Sequence, residues 1–353
     1  MTVLKLGSLF DGIGVFPLAA MHCGMEPVWA SEIEARPISI TKRHFPDMLH
    51  LGDITKISGA EIPPVDVITF GSPCQDLSQI GTRNGFAGKK SSLFYQAMRI
   101  IEEMRYATNG RYPAFTVWEN VAGAFSSNDR LDFAAMLSAF TGAEVSVPPR
   151  GWAHAGMVRG GRADTAWRLL DAQYWGEPAL VQRRKRVFVV ADFAGQRAGE
   201  VLFKPRTVLP FSTISGPGGL SATQRGGVSV AQTGRQVPIV RPFSLRRMRT
   251  MAQVGDQKGF CASFGRGGEP FPTLLASVTA PFSFWYEGEE RDGFLRALTP
   301  LECERLMGLP ENWTKYGCKN EEISDHARYR ALGNSIALPC AEYVMAGIAE
   351  VMN

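Results

Sequence analysis

Cysteine is scarce in this chain and never closely paired. Cys23, Cys74, Cys261, Cys303, Cys318 and Cys340 show no C-x-x-C spacing, which argues against a disulfide framework and against a zinc knuckle. The Pro-Cys-x-x-Cys signature of zinc deaminases is missing too, because Leu77 stands where a second cysteine would follow Pro73-Cys74. No metal site is expected. No apolar run approaches the ~20 residues a membrane span needs. The opening Met1–Leu6 segment lacks the long apolar core and cleavage site of a signal peptide, so a cytoplasmic location without membrane contact is expected. The turn at Gly12 and Gly14 lacks the third glycine of the dinucleotide fingerprint, Pro17 standing in its place. That disfavours a nicotinamide-dependent oxidoreductase. Acidic residues are nearly absent from Gln182 to Thr250, where thirteen Lys or Arg face only Asp192 and Glu200. A solvated charged face normally mixes signs, so this block reads as a surface for a polyanion.

What is present is enough for a full core. The 353 residues, 45% hydrophobic and 20% charged, allow one large and one small domain of an ordinary enzyme. Val3 to Gly7 reads as a strand, Val15 to Cys23 as a helix closed by Gly24, Pro27 to Ser31 as a strand, and Ala35 to His44 as a helix stopped before Pro46. Val65 to Phe70 is a third strand, Ser92 to Met104 a helix, and Ala114 to Trp118 and Val187 to Ala191 further strands. Repeated strand and helix predict a doubly wound α/β sheet. From about Ala194 to Ala280 the composition turns to Gly, Ser, Thr, Gln and Pro, with strands expected only at Gln236 to Val240 and Ala276 to Ala280. Helical structure returns at Pro300, with Thr299 as N-cap and Gly308 as the stop.

Four short segments carry chemistry. Phe10-Asp11-Gly12-Ile13-Gly14 follows the first strand and opens a helix, so its glycines let the backbone approach a ligand closely. Without a pyrophosphate to cradle, a nucleoside ligand fits this turn better. Glu32, at the end of the second strand, can take ribose hydroxyls or serve as a surface carboxylate at a helix start. Gly71-Ser72-Pro73-Cys74-Gln75-Asp76-Leu77-Ser78 sets a thiol where an apolar strand opens into a polar loop, a place where α/β enzymes expose a reactive side chain. Glu119-Asn120-Val121 leaves the fourth strand, and Gln182-Arg183-Arg184-Lys185-Arg186 leads into the fifth. On a strand, Gln182, Arg184 and Arg186 share one face, leaving Arg183 and Lys185 to solvent or phosphate.

In this order, Pro-Cys-Gln, Glu-Asn-Val, Gln-x-Arg-x-Arg and Gly333-Asn334-Ser335 resemble the DNA (cytosine-5)-methyltransferase family over residues 1–192 and 293–353. The resemblance implies a Rossmann-like domain that binds S-adenosylmethionine, releases S-adenosylhomocysteine, and is built from those two stretches. Residues 193–292 become a small, loop-rich, mostly β target-recognition domain. It implies that Cys74 attacks C6 of an extruded cytosine, that Glu119 contacts N3 as general acid, and that Arg184 stabilises the base oxygen and the thiolate while Arg186 braces Glu119. Phe10, Gly12, Gly14, Glu32, Ile33, Asp53, Ile54, Pro73, Leu93, Asn334 and Ser335 would hold the cofactor. Gln75, Ser78, Asn120, Gln182, Arg186 and Thr273, the last within Pro272-Thr273-Leu274, would meet DNA, with Asn120 also fixing the turn. Taken alone, Ala331 to Ala337 reads only as a loop before a buried helix. The chain departs from the pattern at Ile80, where relatives often carry a small polar residue that fills the gap left by the base.

The implied partner is double-stranded DNA, and the chain is expected to be a monomer. The role is of restriction–modification, phage or orphan type, with a cognate endonuclease acting independently if there is one. A tRNA cytosine-C5 methyltransferase shares the same core, but the long basic segment favours DNA. A catalytically silent DNA-binding relative is disfavoured by the presence of Cys74, Glu119 and Arg184 together.

Overall fold

The computed structural model describes residues 3–72, 93–204, 239–242, 270–271, 273–274, 282–286 and 294–353. The strands are β1 (Lys5–Leu9), β2 (Glu26–Ser31), β3 (Leu49–His50), β4 (Val67–Phe70), β5 (Phe115–Val121), β6 (Ala155–Arg159), β7 (Asp164–Asp171), β8 (Lys185–Asp192), β9 (Ile239–Pro242), β10 (Phe282–Tyr286) and β11 (Phe294–Ala297). The helices are α1 (Val15–His22), α2 (Ala35–His44), α3 (Leu93–Ala107), α4 (Leu131–Thr141), α5 (Ala198–Leu202), α6 (Pro300–Leu306), α7 (Asp325–Asn334) and α8 (Leu338–Met352). Eight strands form one sheet in the order β3-β2-β1-β4-β5-β8-β7-β6. The pairs from β3 to β5 are parallel, and β8, β7 and β6 add antiparallel strands beyond β5.

Alternation along the central strands builds a core on each face. Val67, Val117 and Val190 pack with α1, α5 and α8 on one side. Ile68, Phe70, Trp118 and Val189 pack with α3 and α4 on the other. All four residues of β4 are buried, as a strand covered on both faces requires. The expected doubly wound sheet is therefore present. Glycine is needed at one point in its centre: the fully buried Trp29 ring lies across Gly7, and a methyl there would sit 2.2 Å from Trp29 Cζ2.

Several elements differ from the sequence expectation. Helix α4 has apolar residues around most of its girth and β6 is a five-residue edge strand, so neither carries a strong periodic signal. Ala331 to Asn334 is the last turn of α7, not a loop; the loop is Ser335–Ala337, and the buried α8 follows. Pro300–Leu306 is a helix with a full capping box between Thr299 and Glu302. The strand expected at Gln236 to Val240 lies at Ile239–Pro242, whereas Ala276 to Ala280 falls outside the described residues.

The expected division at 192/193 and 292/293 is also drawn differently. Ala198, Val201, Leu202, Phe271 and Leu274 all belong to the core of the large sheet. The small antiparallel sheet, β11-β10-β9, runs on to Ala297. Among the described residues no single helix is long and apolar enough to cross a membrane. Gly7→Ala should lower unfolding stability by about 1–3 kcal/mol through overpacking against Trp29, read as a reduced urea midpoint with an unchanged slope.

Candidate active site

The sheet order reverses between β1 and β4, and the two strands end side by side, with Leu9 opposite Phe70. At such a switch point two loops diverge and leave a crevice beyond the strand ends. The Gly-rich turn leaves β1 here and Gly71-Ser72 leaves β4. Next along, β5 pairs Trp118 with Phe70 and brings Glu119 to the same edge. Pro73, Cys74, Gln75 and Ser78 lie outside the described residues, but the two residues before them are firmly held. Trp118 Nε1 donates to Ser72 Oγ at 3.1 Å, and Asn120 Nδ2 donates to the Ser72 carbonyl at 3.0 Å. Asn120 Oδ1 accepts from Val121 N. The Asn120 side chain thus ties the Glu119 turn to Ser72.

The turn after β1 is tethered from three directions. Phe10, Gly12 and Gly14 all have positive φ, at 55°, 61° and 78°, conformations that favour glycine at two of the three positions. Gly12 N donates to Glu32 Oε2 at 3.0 Å, and Thr41 from α2 donates to the Gly12 carbonyl. Glu32 Oε1 also accepts from the amides of Ile33 and Glu34, which leaves acceptor capacity on Oε2 toward a ligand hydroxyl. Ile33 is 73% exposed beside it, whereas Ile54 is buried. Asp53 caps the short turn at Ile54–Lys56 through Oδ1, and its hydrogen bonds from the Thr55 amide and hydroxyl hold its carboxyl below the usual range. Leu93 is the first residue of α3, and Asn334 is exposed at the end of α7. Arg330 bonds Glu34 at 2.6 Å, so α7 lies against the Glu32 loop.

At the other side of the crevice, Glu119 is almost wholly buried. Its Oε2 lies where a Gly71 side chain would be, 3.1 Å from the position of an added Cβ. Burial pushes the Glu119 carboxyl up, and the nearby Arg186 and Arg184 partly oppose this. Arg186 Nε stands 3.0 Å from Glu119 Oε1 without the alignment of a hydrogen bond, so that oxygen keeps its accepting capacity. Arg186 is thus the guanidinium that stands against Glu119.

Arg184 departs from expectation. Its guanidinium is buried and donates to the carbonyls of Leu274 and Gly333, each at 2.9 Å, and to that of Ser335. Those bonds hold the turn before α8 in place, and among the described residues Nε has no partner. Burial, followed by the neighbouring Arg186, lowers its pKa to about 9. Of the pair, Arg186 is the one beside Glu119. Gln182 is fully buried with both amide atoms unpaired, in a bridge to Phe271. Thr273 donates its hydroxyl to the Arg183 carbonyl at 2.6 Å, and its oxygen can still accept.

Two residues at the turn were not singled out from sequence. Trp313 Nε1 donates to the Ile13 carbonyl at 2.8 Å, and its ring stacks on His44 at 3.6 Å. A tryptophan three residues after Pro310 carries no local signal of this, because the contact spans 300 residues. Asp11, inside the turn itself, has both carboxylate oxygens shut off from water, with the Ser8 and Thr41 hydroxyls nearby partly opposing the effect of burial. Burial pushes its carboxyl up to about 7, and the charge on Glu32 adds to the shift.

A doubly wound sheet with a Gly-rich turn at its switch point, and a buried carboxylate–guanidinium pair on the strands beyond, is the architecture of the Rossmann-like α/β class. Within that class the chain belongs to the C-5 cytosine-specific DNA methylase family, whose model matches residues 4–205 and 243–350. Among curated relatives, a DNA N-6-adenine-methyltransferase of Escherichia phage P1 is 24% identical over 98% of this chain and 61% of its own length. Type II methyltransferase M1.ScrFI of Lactococcus lactis subsp. cremoris is 27% identical over 99% of this chain and 78% of its own. The solved structure of the Entamoeba histolytica methyltransferase EhMeth shares the fold, with a TM-score of 0.61 at 13% identity over all of both chains.

Asp11 supplies a pH test of the turn. Its carboxyl binds a proton more tightly in the folded than in the unfolded chain between the ordinary 3.8 and about 7. The native state therefore loses stability as pH rises through that window. Asp11→Asn removes the loss, so its stability relative to the unaltered protein should climb from about pH 4 to about pH 7 and then level off. Urea midpoints across this range measure the difference; a constant difference would mean that the carboxyl is not held in its neutral form.

Proposed function

We propose that the chain methylates C5 of cytosine within a specific short sequence of duplex DNA, using S-adenosylmethionine and a covalent adduct through Cys74. The observation that carries this reading is the convergence of three strand ends: the Gly-rich turn after β1, the Ser72 segment leading to Cys74 after β4, and Glu119 on β5. The residues around the turn fit the cofactor, since Glu32 and Asp53 offer acceptor capacity for hydroxyl and amino groups, and the Asp11 carboxyl is shut off from water within the same turn. When bound, the cofactor supplies an activated methyl group. Phe10, Gly12, Gly14, Glu32, Ile33, Asp53 and Ile54 would hold it, with Asn334 and Ser335 closing the far side.

Cytosine C5 is too weak a nucleophile to take a methyl group directly. Addition of the Cys74 thiolate to C6 pushes electron density onto C5. Glu119, held toward its protonated form by burial, would share its proton with N3 as negative charge builds on the ring. Arg186, kept beside Glu119, is the cation placed to meet the base oxygen, the task first given to Arg184. After methyl transfer, loss of the C5 proton and departure of the thiolate restore the aromatic ring and the free enzyme. The name of the phage P1 relative points to adenine N6, but transfer to an amino nitrogen needs no attacking thiol. Residues 193–292, which include the small sheet, would read the sequence, and the role would be of restriction–modification, phage or orphan type.

Cys74→Ala should abolish formation of 5-methylcytosine and leave duplex binding intact, and a target containing 5-fluorocytosine should trap the unaltered protein covalently. Turnover by the alanine variant, or methylation at adenine N6, would overturn the reading. Glu119→Gln should lower kcat on the order of 10²-fold with little change in cofactor affinity, because the contact forms only in the reaction. Single-turnover rates and cofactor titration separate the two quantities.

A further inference from the structure

The strand register places a second basic surface on the active-site edge, outside the segment rich in Lys and Arg. Val121 at the end of β5 pairs with Arg186, Lys185 pairs with Asp171 at the end of β7, and Arg168 pairs with Ala155 at the start of β6. The loops 122–130 and 142–154 therefore leave the sheet at the same edge as Glu119. They carry Arg130, Arg150 and His154, all exposed. Other arginines nearby face carboxylates: Arg159 meets Asp164, Arg162 meets Glu102, and Arg186 meets Glu119. Among the described residues neither Arg130 nor Arg150 has such a partner.

Arg130 is held in place by its surroundings. Asn128, Asp129 and Arg130 follow one another with positive φ, at 46°, 51° and 74°. Three successive non-glycine residues in the left-handed region persist only where neighbours fix them. Asp132, buried under the turn, accepts from Ser127 Oγ and Asn128 Nδ2. Trp152 Nε1 donates to the Arg130 carbonyl at 3.0 Å, and its ring packs against Phe133 and Trp167 of the core. The Arg130 guanidinium rests on Gly151, where an added Cβ would lie 3.1 Å from Cζ. The side chain is presented outward from a rigid seat.

We propose that Arg130 and Arg150 form a phosphate-binding platform for the duplex flanking the target base, on the catalytic domain itself. Three inter-strand spacings, ~14 Å, separate β5 from β6. That span is comparable with a DNA major groove of about 12 Å, so a duplex delivering its base to Glu119 lies over both loops. Exposed Arg183 and Lys185, at the start of β8, extend the same line of positive charge. Phosphate contacts of this kind position the duplex and carry no sequence information.

The inference rests on the DNA-methylating reading above, and its test separates the two. The unaltered protein, Arg150→Ala and Arg130→Ala/Arg150→Ala are titrated with a cognate and an unrelated duplex over a series of salt concentrations, and with S-adenosylmethionine alone. The double variant should bind both duplexes about 10-fold more weakly at low salt, with a logarithmic salt slope shallower by about 2. Arg150→Ala, which breaks no described bond, should give about half of the slope change, and cofactor affinity should stay within about twofold for all three. An unchanged slope in both variants overturns the platform, as does a loss confined to the cognate sequence. A normal Arg150→Ala beside an unstable double variant assigns Arg130 a purely structural role and also overturns it. Failure of the unaltered protein to bind duplex while it binds cofactor sinks the functional reading instead.

Discussion

The buried guanidinium of Arg184 is the joint on which the site depends. It starts from the entry to β8 and reaches three carbonyls in two distant segments, Leu274 on one side and Gly333 and Ser335 on the other. Its own amide donates to Asp171, and its carbonyl accepts from Ala172. A guanidinium offers five donors in a fixed plane, and here most are spent on backbone groups that water does not reach. A side chain of different shape would leave buried carbonyls unpaired, each a cost of about 1–3 kcal/mol. This joint sets the turn before α8, and α8 in turn packs on α1 under the Gly-rich loop. One cation thus ties the basic strand, the segment around Thr273 and the C-terminal helices into a single unit.

With Arg184 committed to structure, the chemistry falls to groups that stay underused. Glu119 has a charged neighbour at 3.0 Å yet an oxygen without a hydrogen bond. Both carboxylate oxygens of Asp11 lack an aligned hydrogen bond among the described residues, and Gln182 has two amide atoms in the same condition. Buried polar groups are normally satisfied, and exceptions cluster where a ligand completes them. The unpaired atoms of these three are shut off from water, whereas other buried polar groups sit in satisfied networks. Glu304, for example, takes bonds from Asn312, Thr314 and Arg328, and so fixes the segment that aims Trp313 at Ile13.

The active-site edge also collects charge from parts of the chain far apart in sequence. Arg183 and Lys185 come from the basic block, while Arg130 and Arg150 come from loops without any unusual composition. Only the antiparallel additions β8, β7 and β6 turn those loops toward the edge where β4 and β5 end.

Local chemistry made much of this legible in the sequence. Apolar runs of four to seven residues, Gly at positive φ and the Thr299–Glu302 capping box depend on neighbours within a few positions, so β1, α1, α2, α3, β5, β8 and α6 could be placed within a few residues. The order of the motifs identified the family. Tertiary structure alone decided the roles of residues whose partners lie across the fold: Arg184 went to three carbonyls, Arg186 to Glu119, Asn120 to Ser72, Thr273 to Arg183 and Trp313 to Ile13. Alternation along a strand put Gln182, Arg184 and Arg186 on one face, but it could not say which of the two arginines would find carbonyls and which a carboxylate. That choice depends on the depth at which each side chain is buried, and depth is a property of packing between elements, not of spacing along the chain.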